Sequence, residues 1–95
     1  MNENEYCLIA TEKSWDSEAI DFEDVEIVAC GSYEEVKQEL IRVKRRTRDY
    51  YSDFVKRSTN PFDRPDMKIE SEGEDFVTIY YPLAIAKTTY KIVKK

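Results

Sequence analysis

Apolar positions in the middle of the chain recur at the spacing of an amphipathic helix. Ser32 and Glu35 stand three residues apart in the pattern of a capping box, and neither Gly nor Pro follows before Pro61. The apolar set has successive intervals of four, three, four, three and four residues: Val36, Leu40, Val43, Thr47, Tyr50 and Phe54. This periodicity predicts a helix from about Tyr33 to Arg57.

Shorter apolar or alternating runs on both sides of this helix predict strands. Two runs precede it, at residues 6–11 and 25–30, and three follow it, at residues 67–71, 76–81 and 87–93. Gly73 lies in a four-residue turn that makes residues 67–81 a hairpin. The order β-β-α-β-β-β predicts an α+β fold: a small antiparallel sheet with one long helix packed across one face.

The connections between these elements carry further expectations. The acidic stretch before residue 25 is expected to be a surface loop or a short helical turn. Asn60 to Asp66 is expected to be a loop because of its two prolines and its Asx residues, with Phe62 turned inward. The last strand is rich in lysine, which is typical of a sheet edge protected against pairing.

Length and composition limit the kind of protein this is. With 95 residues, the chain is long enough for one domain, so we expect residues 1–95 to form a single domain. No apolar run approaches the roughly 20 residues of a membrane span. The first residues are acidic, whereas a secretory signal would be basic and then apolar. We therefore expect a cytoplasmic protein that does not bind a membrane.

Cys7 and Cys30 each lie inside an apolar run. The simplest interpretation is that they are two small buried hydrophobic residues in a reducing cytosol. A redox pair or a reactive thiol is the alternative. Cys30 is the better candidate for reactivity because it precedes a predicted helix start, where the helix dipole lowers a thiol pKa.

The chain lacks the usual residues of an active site. It contains no His, which removes the commonest general base and the usual zinc ligand. It also lacks a Gly-rich phosphate loop, a nucleophile elbow and any metal-ligand spacing, including that of a calcium loop. We expect a protein that is not an enzyme and needs no cofactor or metal.

Charge is divided into blocks along the chain. The net charge is −5, yet residues 1–35 hold 11 acids and one base, and residues 36–57 hold eight bases and three acids. The acids concentrate in a segment with interleaved apolar residues that could anchor a partner. These residues are the predicted partner-binding site: Asp16, Glu18, Asp21, Glu23 and Asp24, with Trp15 or Phe22 as the anchor.

The acidic segment predicts a protein that binds a partner with a basic surface. We expect a non-enzymatic inhibitor or adaptor, as a monomer or homodimer. Its size and composition are typical of phage and mobile-element accessory proteins, so an anti-defence role is one form of this prediction. An alternative for the same acids is that they stay solvated while the apolar residues pin the segment to the core.

The basic cluster on the helix indicates an alternative function. If its charges are not balanced by the chain's own acids, the helix could contact nucleic-acid phosphates. The overall pI of about 4.8 argues against that function. The residues of this alternative nucleic-acid-binding site are Arg42, Lys44, Arg45, Arg46 and Arg48.

Overall fold

The computed structural model describes residues 5–15 and 21–95, with only the backbone described at residues 15 and 21–23. The chain forms five strands and one helix within these residues. Their bounds are β1 Tyr6–Trp15, β2 Asp21–Gly31, α1 Tyr33–Arg57, β3 Lys68–Glu72, β4 Phe76–Tyr81 and β5 Ala86–Lys94.

The strands form one antiparallel sheet in the order β2-β1-β5-β4-β3. This confirms the predicted α+β class. The lysine-rich strand β5 lies at the centre of the sheet, so the prediction that it forms an edge was wrong. Its Lys87 and Lys91 alternate with Ala86, Thr88 and Ile92, which are buried on the helix side. The lysines therefore belong to the opposite face of the sheet, which we call the open face.

The helix begins and ends where the periodicity predicts. The Ser32 hydroxyl accepts a hydrogen bond from the Glu35 amide, and the Glu35 carboxylate accepts one from the Ser32 amide, which completes the capping box. The buried side chains of α1 then pack against the sheet. The core cluster consists of Leu8, Val36, Leu40, Val43, Val77, Ile79 and Ile92.

Strands β1 and β2 are longer than the apolar runs that predicted them. The hairpin extends to Trp15 and resumes at Asp21, so residues 21–24 belong to a strand and not to the expected surface loop. Backbone pairing with β1 explains this difference, because ladder hydrogen bonds form whatever the polarity of the side chains. The molecule is consequently long and thin, with extents of 54 × 35 × 16 Å.

A β-bulge interrupts the register between β1 and β2. Leu8 pairs with Ala29 but Ile9 pairs with Ile27, which leaves Val28 as the extra residue. Beyond the bulge, Ala10 pairs with Glu26 and Thr11 with Val25. Because side chains alternate between the faces of a strand, the bulge moves Val25 and Ile27 to the open face, where they are 57% and 65% exposed.

The two cysteines are joined by a disulfide bond. Cys7 and Cys30 are directly opposite in the register of β1 and β2, with their Cα atoms 4.1 Å apart. The expectation of two separate buried thiols was therefore wrong. Cys7 is buried, with 5% of its surface exposed, but Cys30 is exposed on the edge strand. Sequence spacing alone could not reveal the pairing, since it depends on the register of the hairpin.

The loop after the helix is held by polar contacts and not by its aromatic residue. The Asn60 side chain accepts a hydrogen bond from the Phe62 amide, and the Tyr50 hydroxyl accepts one from the Asp66 amide. Phe62 is 86% exposed, so the expectation that it turns inward was wrong. The Asx turn places this residue at the tip of the loop, away from the core.

Reduction of the Cys7–Cys30 bond should lower the free energy of unfolding by about 3 kcal/mol, because the bond joins residues 23 apart in sequence and restricts the unfolded chain. Urea denaturation with and without dithiothreitol measures this change. The C7S/C30S variant is the control, since its stability should not respond to the reductant. An unchanged denaturation midpoint for the reduced native protein would contradict this assignment.

Candidate acidic groove

A groove on the helix side of the sheet brings carboxylates from β1 and β2 together. Its cavity volume is about 330 Å³. Small residues form part of the floor, and two tyrosines from β4 and β5 line it. We call it the acidic groove, and its lining residues are Ala10, Glu12, Asp24, Glu26, Tyr81, Ala84, Ala86, Thr88 and Tyr90.

The register of the hairpin sets the charge of this groove. Glu12 is directly opposite Asp24, and Glu26 follows two positions further along β2. Like charges directly opposite each other destabilise an antiparallel pair. All three side chains are exposed, and no described salt bridge neutralises any of them. The groove therefore concentrates negative charge where another molecule can reach it.

The two tyrosines give the groove an apolar and hydrogen-bonding wall. Tyr81 and Tyr90 both pack against the core cluster. Burial is the main cause that raises the pKa of Tyr90, and the nearby Tyr81, Glu26 and Glu12 raise it further, whereas Arg46 lowers it. The Tyr90 phenol therefore stays protonated well above neutral pH and keeps a hydrogen-bond donor.

The turn between β4 and β5 forms an apolar rim next to the groove. Leu83 and Ile85 are exposed on either side of Ala84, which lines the groove itself. Ile85 has a φ of 50°, a left-handed conformation that is unfavourable for a β-branched residue. Such strained positions cluster at ligand-binding sites, which makes this turn part of the candidate site.

The structure places one of the predicted partner-binding residues in the groove. Asp24 is exposed and lines it. Asp16 and Glu18 lie outside the described residues. Trp15, Asp21, Phe22 and Glu23 are described by backbone alone, as members of β1 and β2. Because successive positions of a strand alternate between faces, positions 23 and 24 belong to opposite faces and cannot act as one surface.

Sequence reasoning missed Glu12 and Glu26 as groove residues. Glu12 lies beyond the apolar run that predicted β1, so nothing in that run indicated a strand neighbour for the acidic segment. Glu26 alternates with Val25 and Ile27, and this alternation gave no sign of the bulge that turns it toward the groove. The pairing of Glu12 with Asp24 could have been predicted only if both strands had been extended beyond their apolar runs.

The basic cluster of the helix is partly neutralised by the chain itself. Lys44 is buried, and its ammonium donates to the Gly73 carbonyl at 2.6 Å. Arg48 forms an ion pair with Glu72, and Arg42 pairs with Glu39 at 2.5 Å. Arg45 and Arg46 are exposed and form no ion pair with the described residues. The cluster is thus dispersed, and nucleic-acid binding by it stays a prediction.

A second polar cluster fixes the start of the helix to the turn between β3 and β4. The Tyr33 hydroxyl donates to the Asp75 carboxylate at 2.5 Å, and the Lys37 ammonium lies 3.5 Å from the same carboxylate. The bond to Asp75 raises the pKa of Tyr33 to about 12. The same bond, together with Lys37, holds the pKa of Asp75 below its ordinary value.

The described part of the chain offers neither a metal site nor a membrane-spanning helix. It contains no group of three or more His, Cys, Asp or Glu side chains that could hold a metal ion. Among residues 5–15 and 21–95, no helix combines the length and the apolar character that a membrane span requires.

Comparisons with known proteins do not assign the chain to a family. No protein-family model matches it, and neither a curated protein nor a solved structure does so.

Replacement of Glu12 by Gln should raise the free energy of unfolding by about 0.5 kcal/mol, because it removes the like charge opposite Asp24. The gain should shrink as salt screens the repulsion. Urea denaturation at low and high salt measures both effects. Glu34→Gln is the control, and it should lower stability because Glu34 lies in the first turn of α1. A loss of stability for Glu12→Gln would contradict the repulsion.

Replacement of Tyr33 by Phe should lower stability by an amount that depends on pH. Because the pKa of Tyr33 is raised, its contribution to the free energy of unfolding is complete below its ordinary pKa of 10.0 and is lost as the pH rises toward 12. Because the pKa of Asp75 is lowered, its contribution to the free energy of unfolding is complete above its ordinary pKa of 3.8. That contribution is lost as the pH falls through the lowered pKa. The difference between native protein and variant, measured by urea denaturation, should therefore be largest near neutral pH. A difference that is constant across pH would contradict the Tyr33–Asp75 bond.

Proposed function

We propose that this protein is a non-enzymatic protein-binding domain whose acidic groove receives basic side chains of a partner. In this role it acts as an inhibitor or an adaptor. The single observation that carries the proposal is the position of Glu12 directly opposite Asp24, beside Glu26, on an exposed groove. Local arrangements that reduce stability without an evident structural gain are expected at functional sites.

The chemistry of the groove suits arginine or lysine. Carboxylates accept charge-assisted hydrogen bonds from guanidinium and ammonium groups, and arginine can bind a carboxylate in a bidentate manner. The tyrosine rings of the wall can contact the flat face of a guanidinium. Leu83 and Ile85 on the rim offer apolar contacts for the aliphatic part of such side chains or for their neighbours.

Long-range charge supports the same proposal. The chain has a net charge of −5, so a basic partner is attracted before contact. Such attraction mainly increases the association rate, and it weakens as salt is added. An inhibitor that covers the basic surface of a nucleic-acid-binding protein would use this attraction, and an anti-defence role against a nuclease belongs to this proposal. A cytoplasmic location is also part of it, and there the Cys7–Cys30 bond would meet thiol reductants.

The groove variant E12Q/D24N/E26Q should bind a basic probe at least about tenfold more weakly than the native protein, because it removes the charge-assisted hydrogen bonds. Octa-arginine is the probe, and titration calorimetry at two salt concentrations measures affinity and its salt dependence. The matched control E34Q/D49N/D66N removes as many exposed carboxylates from outside the groove. It should weaken binding only slightly.

Equal losses for the two variants would contradict the assignment of the site to the groove. The same variants then serve as baits in a lysate divided into a half treated with nuclease and an untreated half. A partner retained by the control and lost by the groove variant would support the proposal. Recovery of nucleic acid in place of protein from the untreated half would favour nucleic-acid binding by the basic cluster of the helix. An R45Q/R46Q variant would test that outcome.

A further inference from the structure

Strand β2 is weakly attached to the rest of the protein. It is an edge strand, and among the described strands only β1 pairs with it. Of its described residues, Ala29 alone packs against the core cluster, whereas Val25, Ile27 and Val28 are exposed. Segments with few buried apolar contacts open locally at low free-energy cost. Apart from its backbone ladder and the packing of Ala29 and Gly31 near the helix, β2 therefore depends on its covalent link to β1.

That covalent link lies at one end of β2, and the groove lies beyond the bulge. Cys30 is bonded to Cys7 just before the helix cap at Ser32. The bulge at Val28 separates this bond from Glu26 and Asp24. The bulge interrupts the regular ladder of backbone hydrogen bonds at Val28, two residues from Cys30. The disulfide thus links β2 to β1 close to this interruption of the ladder.

The two sulfur atoms differ in how easily another molecule reaches them. Cys7 belongs to an interior strand and is 5% exposed, between β2 and β5. Cys30 is exposed at the free edge of the sheet. Disulfide exchange requires a thiolate to approach one sulfur directly, and exposed disulfides are the reducible ones. The exposed position of Cys30 makes its sulfur the point of attack.

We propose that Cys7–Cys30 is a reversible thiol–disulfide exchange site that controls the order of strand β2 and, through it, the acidic groove. The second part of this statement rests on the proposed function. Its reactant is a small thiol of the glutathione class or a dithiol protein. The oxidised protein presents Asp24 and Glu26 on a fixed strand, and the reduced protein presents them on a strand that opens frequently.

The exchange proceeds in two balanced steps. A thiolate attacks the Cys30 sulfur, a mixed disulfide forms there, and the Cys7 sulfur leaves and takes a proton from solvent. A second thiolate attacks the sulfur of the bound small thiol, which releases Cys30 as a thiolate. The protein disulfide gains two electrons, and the two small thiols become one disulfide. Oxidised glutathione reverses both steps.

Amide hydrogen exchange on the oxidised and the reduced protein tests the control of β2. After reduction with dithiothreitol, amides of residues 24–30 should exchange at least about tenfold faster, because the covalent link no longer restricts the local opening of β2. Amides of β4 and the core of α1 should change much less. The C7S/C30S variant should match the reduced protein and ignore the reductant. Equal rates in β2 before and after reduction would overturn the proposal.

The direction of attack is tested with single-cysteine variants and oxidised glutathione. C7S, which keeps Cys30, should form the mixed disulfide at least about tenfold faster than C30S, which keeps the buried Cys7. Mass spectrometry follows the added glutathione. Equal rates, or faster reaction of C30S, would overturn the assignment of Cys30 as the attacked sulfur.

Octa-arginine titration separates this proposal from the function on which it rests. Reduction should weaken binding by the native protein and leave binding by C7S/C30S unchanged. If the groove variant E12Q/D24N/E26Q binds as well as the native protein, the proposed function fails while the exchange data still decide whether β2 is under redox control. If the groove variant fails to bind but reduction changes nothing, the redox proposal fails and the function stands.

Discussion

The single-residue bulge at Val28 decides which side chains of the hairpin face the helix and which face away. Without it, Val25 and Ile27 would continue the face of Ala29, and Asp24 and Glu26 would lie on the opposite side. With it, the carboxylates join Glu12 in the groove and the apolar side chains are exposed. The charge of the groove and the exposure of β2 both follow from this one irregularity.

The outer part of the β1–β2 hairpin can serve as a binding element because it takes little part in the core. The buried apolar residues of β1 end at Ala10 and the core contacts of β2 at Ala29, so the described strand residues beyond them add no buried apolar side chain to the core. The helix packs on all five strands, and Tyr33, Lys37 and Lys44 also bind it to the turn at residues 72–75. One half of the protein is therefore a stable scaffold, and the other half carries exposed charge at the end of a covalently linked strand. This division separates the stability of the fold from the chemistry of the groove.

Sequence reasoning succeeded where a single local pattern determined the structure. The spacing of Val36 to Phe54 and the Ser32 cap fixed the helix, because helix ends are satisfied by nearby residues. Gly73 and its flanking alternation likewise fixed the β3–β4 hairpin. It failed where long-range pairing mattered: the central place of β5, the Cys7–Cys30 bond and the bulge all depend on which strands meet. For the candidate site, it found the acidic segment and Asp24 but not Glu12, whose position follows from register alone.

The register of the hairpin in solution is the most direct test of this account, since the groove, the repulsion and the link to the disulfide all depend on it. Nuclear Overhauser effects between backbone protons of β1 and β2 measure it. The structure predicts effects that connect Glu12 with Asp24 and Ile9 with Ile27. Effects that connect Glu12 with Val25 and Ile9 with Val28 would show a hairpin without the bulge. That result would move Asp24 and Glu26 to the open face, away from Glu12, and contradict the account.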